Sequence, residues 1–236
     1  MTINGGTLQF YNGSSLASMS KIIVGVTRVT ENLGWTSTLS VSSIPGGLQV
    51  NAGQTIAGHG DVYGTLTFNA GSTLAPGCDA IGKLNISSLT LRAGAMLDWK
   101  FGEKTCDSIY VTGGSTGIIV PSSGVLLNLT SEITDGVYQL IDYNRGYPPN
   151  SAVLTGFQHL LDGRIIDGVL DGNEGTIMLG DGWDRLLGDI HYSIVSRDFG
   201  VFLDIRGITG IRSVPEPASL ALLGLGAAGL LVRRRK

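Results

Sequence analysis

The residues whose spacing could support catalysis lie in one short pattern. Gly113, Ser115 and Gly117 match the Gly-x-Ser-x-Gly pattern of a nucleophile elbow, a strained turn from a strand into a helix that exposes a reactive serine. Here the pattern lies among glycine, serine and threonine residues, and no helical pattern follows it. We therefore predict a β-turn at this position, no catalytic residue in the chain, and a protein that is not an enzyme.

Carboxylates that precede glycine could supply oxygen ligands to a metal ion. Such residues are concentrated after residue 160, at Asp162, Asp167, Asp171 and Asp181. Oxygen-rich segments of this kind can bind Ca²⁺, but Asp-Gly is also the ordinary dipeptide of a tight turn. The three histidines are scattered without the spacing of metal ligands. We favour turns, predict neither a metal site nor a cofactor, and leave calcium binding open.

Two cysteines could form a disulfide. Cys78 and Cys106 are the only cysteines, and export of the chain would place them in an oxidising compartment. Their separation suits neighbouring parallel strands, whose spacing of ~4.8 Å is compatible with the Cα distance that a disulfide requires. A Cys78–Cys106 disulfide and two separate thiols both remain open.

The C-terminus has the composition of a membrane anchor with a proline-containing neck. Val214, Pro215, Glu216 and Pro217 precede an apolar run from residue 218 to residue 232. Because the prolines cannot continue a helix from upstream, a new helix is predicted to begin after them. The cations that follow the run stop it on the cytoplasmic side of the membrane; they are Arg233, Arg234, Arg235 and Lys236. The pattern predicts one transmembrane helix, with residues 1 to about 212 outside the cytoplasm.

This C-terminal segment resembles the PEP-CTERM sorting signal of Gram-negative bacteria. The Val-Pro-Glu-Pro motif, the apolar run and the terminal arginine cluster occur in the same order at residues 213–236. The resemblance implies an exosortase, a membrane protease that reads the motif, as the partner that processes the chain. The alternative is a plain tail anchor that is not processed.

Three segments of the body repeat one pattern without gaps. They are residues 48–56, 66–74 and 89–97. Each begins with alternating apolar and polar positions, which is typical of a half-buried strand, and continues through Ala-Gly into a closing apolar residue. Related copies are predicted to begin at Leu8 and at Ile109. If Leu48, Leu66 and Leu89 begin successive coils, they should stack in one apolar column and Gly53, Gly71 and Gly94 should occupy equivalent turns.

One strand signal in roughly every 20 residues is typical of a stacked solenoid. We therefore predict an all-β fold with a right-handed parallel β-helix over residues 1–145. Residues 146–212 are predicted to form an irregular closing region with a hairpin that caps the open sheet edge, and residues 213–236 form the sorting segment. An antiparallel β-sandwich is the alternative.

The glycine-rich stretches at 58–66 and 74–77 resemble the autotransporter-associated β-strand repeat of bacterial passenger proteins. The resemblance covers roughly residues 1–145. It implies a β-helical, surface-exposed and mostly non-catalytic body. True autotransporters carry a membrane β-barrel after this body, whereas here the sorting segment follows it.

The composition agrees with a β-rich exported body. The chain of 236 residues contains 36 glycines, 15% charged residues and a net charge of −3. Few charges and a negative balance argue against nucleic-acid binding. The first residues lack the basic and apolar regions of a secretory signal. We therefore expect this sequence to be the C-terminal piece of a longer protein or to begin at a misplaced start.

These observations predict a non-enzymatic β-helix protein of the cell surface or the extracellular matrix. Its expected role is structural or adhesive, because the long faces of a solenoid suit repeated weak contacts with extracellular polysaccharide. The alternative is a β-helical polysaccharide lyase or glycosidase. A groove with convergent acidic and basic residues would favour the enzyme, and a flat face of serine, threonine and asparagine would favour the structural role.

Overall fold

The computed structural model describes twelve stretches of the chain. They are residues 1–14, 18–25, 37–78, 80–113, 117–120, 124–143, 163–166, 169–171, 177–179, 183, 186–197 and 200–211. Within these stretches the protein is all-β and contains no α-helix, so the predicted fold class is confirmed at this level. No helix in the described part of the chain is long and apolar enough to cross a membrane. The predicted anchor at 218–232 lies outside the described residues.

The strands are short and follow one another closely in the chain. They are β1 (Thr2–Ile3), β2 (Gly6–Gln9), β3 (Lys21–Val24), β4 (Ser37–Ser40), β5 (Leu48–Val50), β6 (Thr55–Gly58), β7 (Asp61–Phe68), β8 (Thr73–Pro76), β9 (Lys83–Leu91), β10 (Met96–Trp99), β11 (Phe101–Gly102), β12 (Thr105–Cys106), β13 (Ser108–Val111), β14 (Ile118–Ile119), β15 (Val125–Leu129), β16 (Gly136–Tyr143), β17 (Gly163–Ile166), β18 (Val169–Asp171), β19 (Ile177–Leu179), β20 (Leu186–Leu187), β21 (Asp189–Arg197), β22 (Gly200–Arg206) and β23 (Gly210–Ile211).

Two large sheets share these strands, and the chain alternates between them. The first is a 7-stranded sheet of order β1-β3-β6-β8-β10-β15-β19, in which the pairings are parallel. The second contains β2, β4, β7, β9, β13 and β16 as parallel neighbours. Each circuit through both sheets is a coil, and each coil stacks on the one before it.

The second sheet is bent along β7 and β9. The first half of β7 pairs with β4 and the second half with β5, while β9 pairs in the same way with β13 and β14. The register between β7 and β9 shifts between Val62 and Thr65. At this corner Gly64 has a φ of 105° and lies so close to the preceding coil that a Cβ would be 2.7 Å from the Ser42 backbone nitrogen. Only glycine combines this φ with this close approach.

The predicted apolar column is confirmed. Leu48 pairs with Leu66 in parallel, and Leu66 pairs with Leu89. The column continues to Ile118, and its members are at most 2% exposed. Val50, Phe68 and Leu91 form the second predicted column. Burial of each large apolar side chain contributes roughly 1.5–3 kcal/mol, and a slip of one residue would turn the whole set outward.

The predicted glycine turns are confirmed as well. Gly53, Gly71 and Gly94 have φ values of 75°, 74° and 80°. The amide of Gly53 donates to the carbonyl of Gly71, the amide of Gly71 to that of Gly94, and the amide of Gly94 to that of Gly124. The turns therefore stack as the strands do, and the backbone groups at the corner are hydrogen-bonded between coils.

Two predicted repeat copies were assigned to the wrong column. Leu8 pairs with Leu39, in the column of Val62 and Ile86, rather than taking the position equivalent to Leu48. Ile109 pairs with Leu84, whereas Leu89 pairs with Ile118. The reason is that coils differ in loop length, so equal spacing along the chain does not give equal positions in the stack.

The predicted closing hairpin is present. β21 and β22 pair antiparallel, and β22 pairs antiparallel with β16, the last parallel strand of the second sheet. The Trp183 indole, which is buried, donates from Nε1 to the Leu127 carbonyl oxygen at 3.1 Å and packs against Tyr192. The hairpin thus covers the edge of β16, as the exposed backbone of an open sheet edge requires. The domain boundaries at 145 and 212 stay a prediction.

Candidate functional site

The described chain reaches the sorting segment through a short terminal strand. β23 pairs antiparallel with β20, with Leu186 opposite Ile211 and Leu187 opposite Gly210. Thr209 adds two hydrogen bonds to the Leu187 carbonyl oxygen, from its amide at 2.8 Å and from its hydroxyl at 3.0 Å. The chain is therefore held to the body until Ile211.

Asp135 secures the same segment from the last coil. Its carboxylate accepts the amide of Gly207 at 3.0 Å and the amide of Ile208 at 2.9 Å, one on each oxygen. Gly207 has a φ of 91°, which turns two consecutive amides toward the carboxylate. We name Asp135, β20 and β23 the C-terminal clamp. Sequence reasoning missed it, because Asp135 is 72 residues from Gly207.

The predicted sorting residues follow the clamp directly in the chain. Val214, Pro215, Glu216 and Pro217, and the cations Arg233, Arg234, Arg235 and Lys236, lie outside the described residues. In the sequence, four positions separate Pro215 from Ile211, the last residue of β23.

The two cysteines lie in different surroundings. Cys106, at the end of β12, donates from Sγ to the carbonyl oxygen of Gln139 in the following coil at 3.4 Å. Burial, and then the neighbouring Asp107 carboxylate, raises the pKa of this thiol to about 12. Cys78 is half-buried after β8, in the preceding coil. The pairing of Cys78 with Cys106 stays a prediction.

We expect Cys106 to be almost unreactive in the folded protein. In a Cys78→Ser variant at pH 8, a thiol whose pKa rises from 9.0 to about 12 has a thiolate fraction lower by up to about a thousandfold, and only the thiolate is alkylated. The iodoacetamide reaction followed by mass spectrometry should therefore be far slower in buffer than in urea. Equal rates in the two solutions would show that Cys106 is not buried.

Asp107 is a buried carboxylate that sequence reasoning also missed. It is 0% exposed and accepts the amides of Gly82 at 2.8 Å and Lys100 at 2.9 Å, as well as the Lys100 ammonium at 3.4 Å. Burial raises the pKa of Asp107, although these donors oppose the rise. Burial in the folded protein thus favours the neutral form of Asp107. The contribution of this residue to the free energy of unfolding is lost as the pH rises through its raised pKa. Two of its partners are backbone amides, so its role is to hold the corner between the sheets.

The outward side of the second sheet carries polar side chains in register. Asp61 pairs in the ladder with Asn85, Asn85 with Tyr110, and Tyr110 with Asp142. Asn85 donates to Asp61 Oδ1 at 2.7 Å. Lys83 Nζ lies 3.0 Å from Asp142 Oδ2 and 5.0 Å from the Tyr110 ring centroid. We name this set the polar row. A similar amide ladder joins Asn69 to Asn51 at the glycine turns.

The predictions for the Gly-x-Ser-x-Gly pattern and for metal binding can be compared with the structure only in part. Ser115 lies outside the described residues, so the predicted turn there stays a prediction, while Gly113 donates its amide to the Ser87 carbonyl oxygen of the neighbouring coil at 3.1 Å. In the part of the chain that the structure describes, no group of three or more His, Cys, Asp or Glu side chains could hold a metal ion. The Asp-Gly residues Asp162, Asp167 and Asp181 also lie outside it, so calcium binding there stays open.

Comparison with known proteins identifies the C-terminal segment. The family of the PEP-CTERM protein-sorting motif matches residues 213–236, the same residues that carried the sequence resemblance. This motif indicates an exported protein, secreted or of the cell envelope, with an exosortase as its processing partner. No family match supports the autotransporter-associated repeat over residues 1–145. Neither the search of curated proteins nor the search of solved structures gives a match.

Proposed function

We propose that this chain is a non-enzymatic protein of the cell surface or extracellular matrix. In this proposal it is sorted by an exosortase and has a structural or adhesive role. The observation that carries the proposal is the sorting motif at 213–236, which follows a folded body within a few residues of its last strand. In this proposal the apolar run at 218–232 anchors the chain until it is processed.

The body is proposed to be a right-handed parallel β-helix. The alternation of the chain between two parallel sheets supports the helix. The hand follows from the general rule that a connection between parallel strands of one sheet is right-handed. Such a body, stacked coil by coil and closed by the β21–β22 hairpin, presents long faces outside the cell. The autotransporter-associated repeat is retained only as the sequence resemblance that suggested this body.

The polar row supports a structural role over the lyase or glycosidase alternative. Sugar cleavage needs a pair of carboxyl groups that flank one bond, or cations that neutralise an acidic sugar. In the row, the Asp61 carboxylate accepts the Asn85 amide and Lys83 is paired with Asp142. One oxygen of Asp61 and the Lys83 ammonium are engaged by neighbouring side chains, which suits a surface for contacts rather than for proton transfer.

The topology of the chain tests the proposal. A Tyr11→Cys change in a Cys78→Ser, Cys106→Ser background places one thiol at a position that is 61% exposed in the native chain. A membrane-impermeant maleimide should label it once the outer membrane is opened and the inner membrane is intact, because the cations of the C-terminus resist translocation.

A matched control uses the other end of the chain. In the same background without the Tyr11 change, a Lys236→Cys change combined with alanine at residues 215–217 should be labelled only after the inner membrane is opened. Labelling of the Tyr11→Cys protein only under that second condition would place the body in the cytoplasm and remove the proposal.

A further inference from the structure

We propose that the outward surface around Tyr63, beside the polar row, is a binding site for a neutral polysaccharide. This inference rests on the proposed extracellular role, and it names the class of ligand that the body contacts. It is carried by an exposed aromatic ring on a fixed backbone, by the hydrogen-bonding groups beside it, and by the charge balance of the surface.

The Tyr63 ring is presented to solvent by a β-bulge. Val62 pairs with Ile86 and Thr65 with Ser88, so Tyr63 and Gly64 together oppose one residue, Ser87. A bulge of this kind re-aims the side chain that it carries, and Tyr63 is 51% exposed. The backbone beneath it is held from the previous coil, because the Val41 amide donates to the Tyr63 carbonyl oxygen at 2.8 Å.

Residues with hydroxyl and amide groups occupy ladder positions next to Tyr63. Ser40 lies beside Tyr63 in the ladder of β4 and β7, and Ser87 lies opposite the bulge on β9, where its hydroxyl donates to the Val62 carbonyl oxygen at 3.3 Å. Two residues before Tyr63 on the same side of β7 is Asp61, with the Asn85 amide bound to one oxygen. Its second oxygen and the Asn85 carbonyl remain as acceptors for a ligand hydroxyl.

This combination matches the chemistry of a sugar ring. A pyranose has an apolar C–H face, which packs on an aromatic ring, and a rim of hydroxyls, which pair with carboxylate, amide and hydroxyl groups. Because coils repeat at ~4.8 Å, the same kinds of group recur along the stack. A polymer with repeated hydroxyls can engage several of them at once, and weak contacts then add through multivalency.

The charges favour a neutral polymer over an acidic one. Within the polar row, Asp61 and Asp142 are negative, and Lys83, the cation of the row, is paired with Asp142 at 3.0 Å. The polar row and the residues named beside Tyr63 therefore offer no unpaired cation, and their net charge is negative. An acidic polysaccharide would be repelled, since like charges oppose association.

Affinity electrophoresis of the full chain tests the inference. The protein is solubilised in a detergent without a sugar head group and run through native gels that contain hydroxyethyl cellulose, dextran or alginate. At least one of the two neutral polymers should retard the parent chain, and acidic alginate should not. Tyr63→Ala should raise the dissociation constant roughly tenfold or more, a change equal to ~1.4 kcal/mol, while Tyr63→Phe should keep most of the retardation because it keeps the ring.

Tyr11→Ala is the control for the loss of an exposed tyrosine: Tyr11 is 61% exposed against 51% for Tyr63 and follows β2, two coils before Tyr63, and its loss should weaken binding far less than Tyr63→Ala does. Circular dichroism confirms that each variant is folded. The inference is overturned if neither neutral polymer retards the parent, if alginate retards it most, or if Tyr63→Ala binds like Tyr11→Ala. These outcomes are independent of sorting, which is measured by maleimide labelling and by C-terminal processing in cells.

Discussion

Replacing Pro215, Glu216 and Pro217 by alanine is expected to leave the chain in the membrane with its C-terminal segment attached. The apolar run and the terminal cations are unchanged in this variant, so the hydrophobic anchor remains and only the motif read by the exosortase is lost. In a host that carries an exosortase, mass spectrometry of the C-terminal peptide should find the intact segment in nearly all of the variant and in little of the parent.

A second variant separates recognition from anchoring. Leu220→Ile, Leu222→Ile and Leu223→Ile together alter the apolar run but keep its hydrophobicity, and this protein should be processed like the parent. A parent chain that keeps its C-terminal peptide to the same extent as the alanine variant would remove exosortase processing from the proposed function. The folded body would be unaffected by that result, since the described strands end at Ile211.

Gly58→Ala is expected to lower the free energy of unfolding by about 2–5 kcal/mol. Gly58 has a φ of 121°, where a side chain costs roughly 1–2 kcal/mol. A Cβ there would also overlap the Val24 carbonyl oxygen and lie 2.7 Å from the Val24 carbonyl carbon, which adds about 1–3 kcal/mol of overpacking. The neighbourhood cannot yield easily, because the same carbonyl oxygen accepts the amides of His59 and Gly60.

Gly53→Ala is the matched control. Gly53 also has a positive φ, 75°, but a Cβ there has no neighbour within 4 Å. Only the backbone cost remains, about 1–2 kcal/mol. Urea unfolding of both variants, followed by tryptophan fluorescence of the full chain in the same detergent, compares the two losses. Equal losses would show that the close approach of the β6 end to Val24 is absent in solution.

The local pattern of the sequence was sufficient for the stacked columns. Leu48, Leu66 and Leu89 were predicted in one column because alternation has a period of two and each segment ends in the same Ala-Gly turn. Both properties are local: a strand buries every second residue, and glycine takes a positive φ without cost. The closing hairpin at β21 and β22 was predicted for the same reason, from two alternating stretches that lie next to each other in the chain.

The sorting segment was also determined by the sequence alone. Its motif, apolar run and cations are read in linear order, and none of them depends on contacts with the body. This is why the family match covers the same residues, 213–236, that the pattern indicated.

Other features depended on which distant residues the fold brings together. The column of Leu8 and the partner of Ile109 could not be predicted, because the loops between coils vary in length and the pairing follows position in the stack. The buried Asp107 closes a corner with Gly82, 25 residues away. The register shift beside Tyr63 lies where the Gly64 backbone closely approaches Val41 and Ser42 of the neighbouring coil.

The sequence by itself thus determined the alternation, the turns and the sorting segment, which are properties of contiguous residues. The tertiary structure decided the register of the strands that carry Leu8 and Ile109, the clamp of Asp135 on Gly207 and Ile208, and the exposed Tyr63 beside Asp61 and Asn85. The physical reason is that these contacts form between coils, where loop length and close backbone approach select partners that no local pattern specifies.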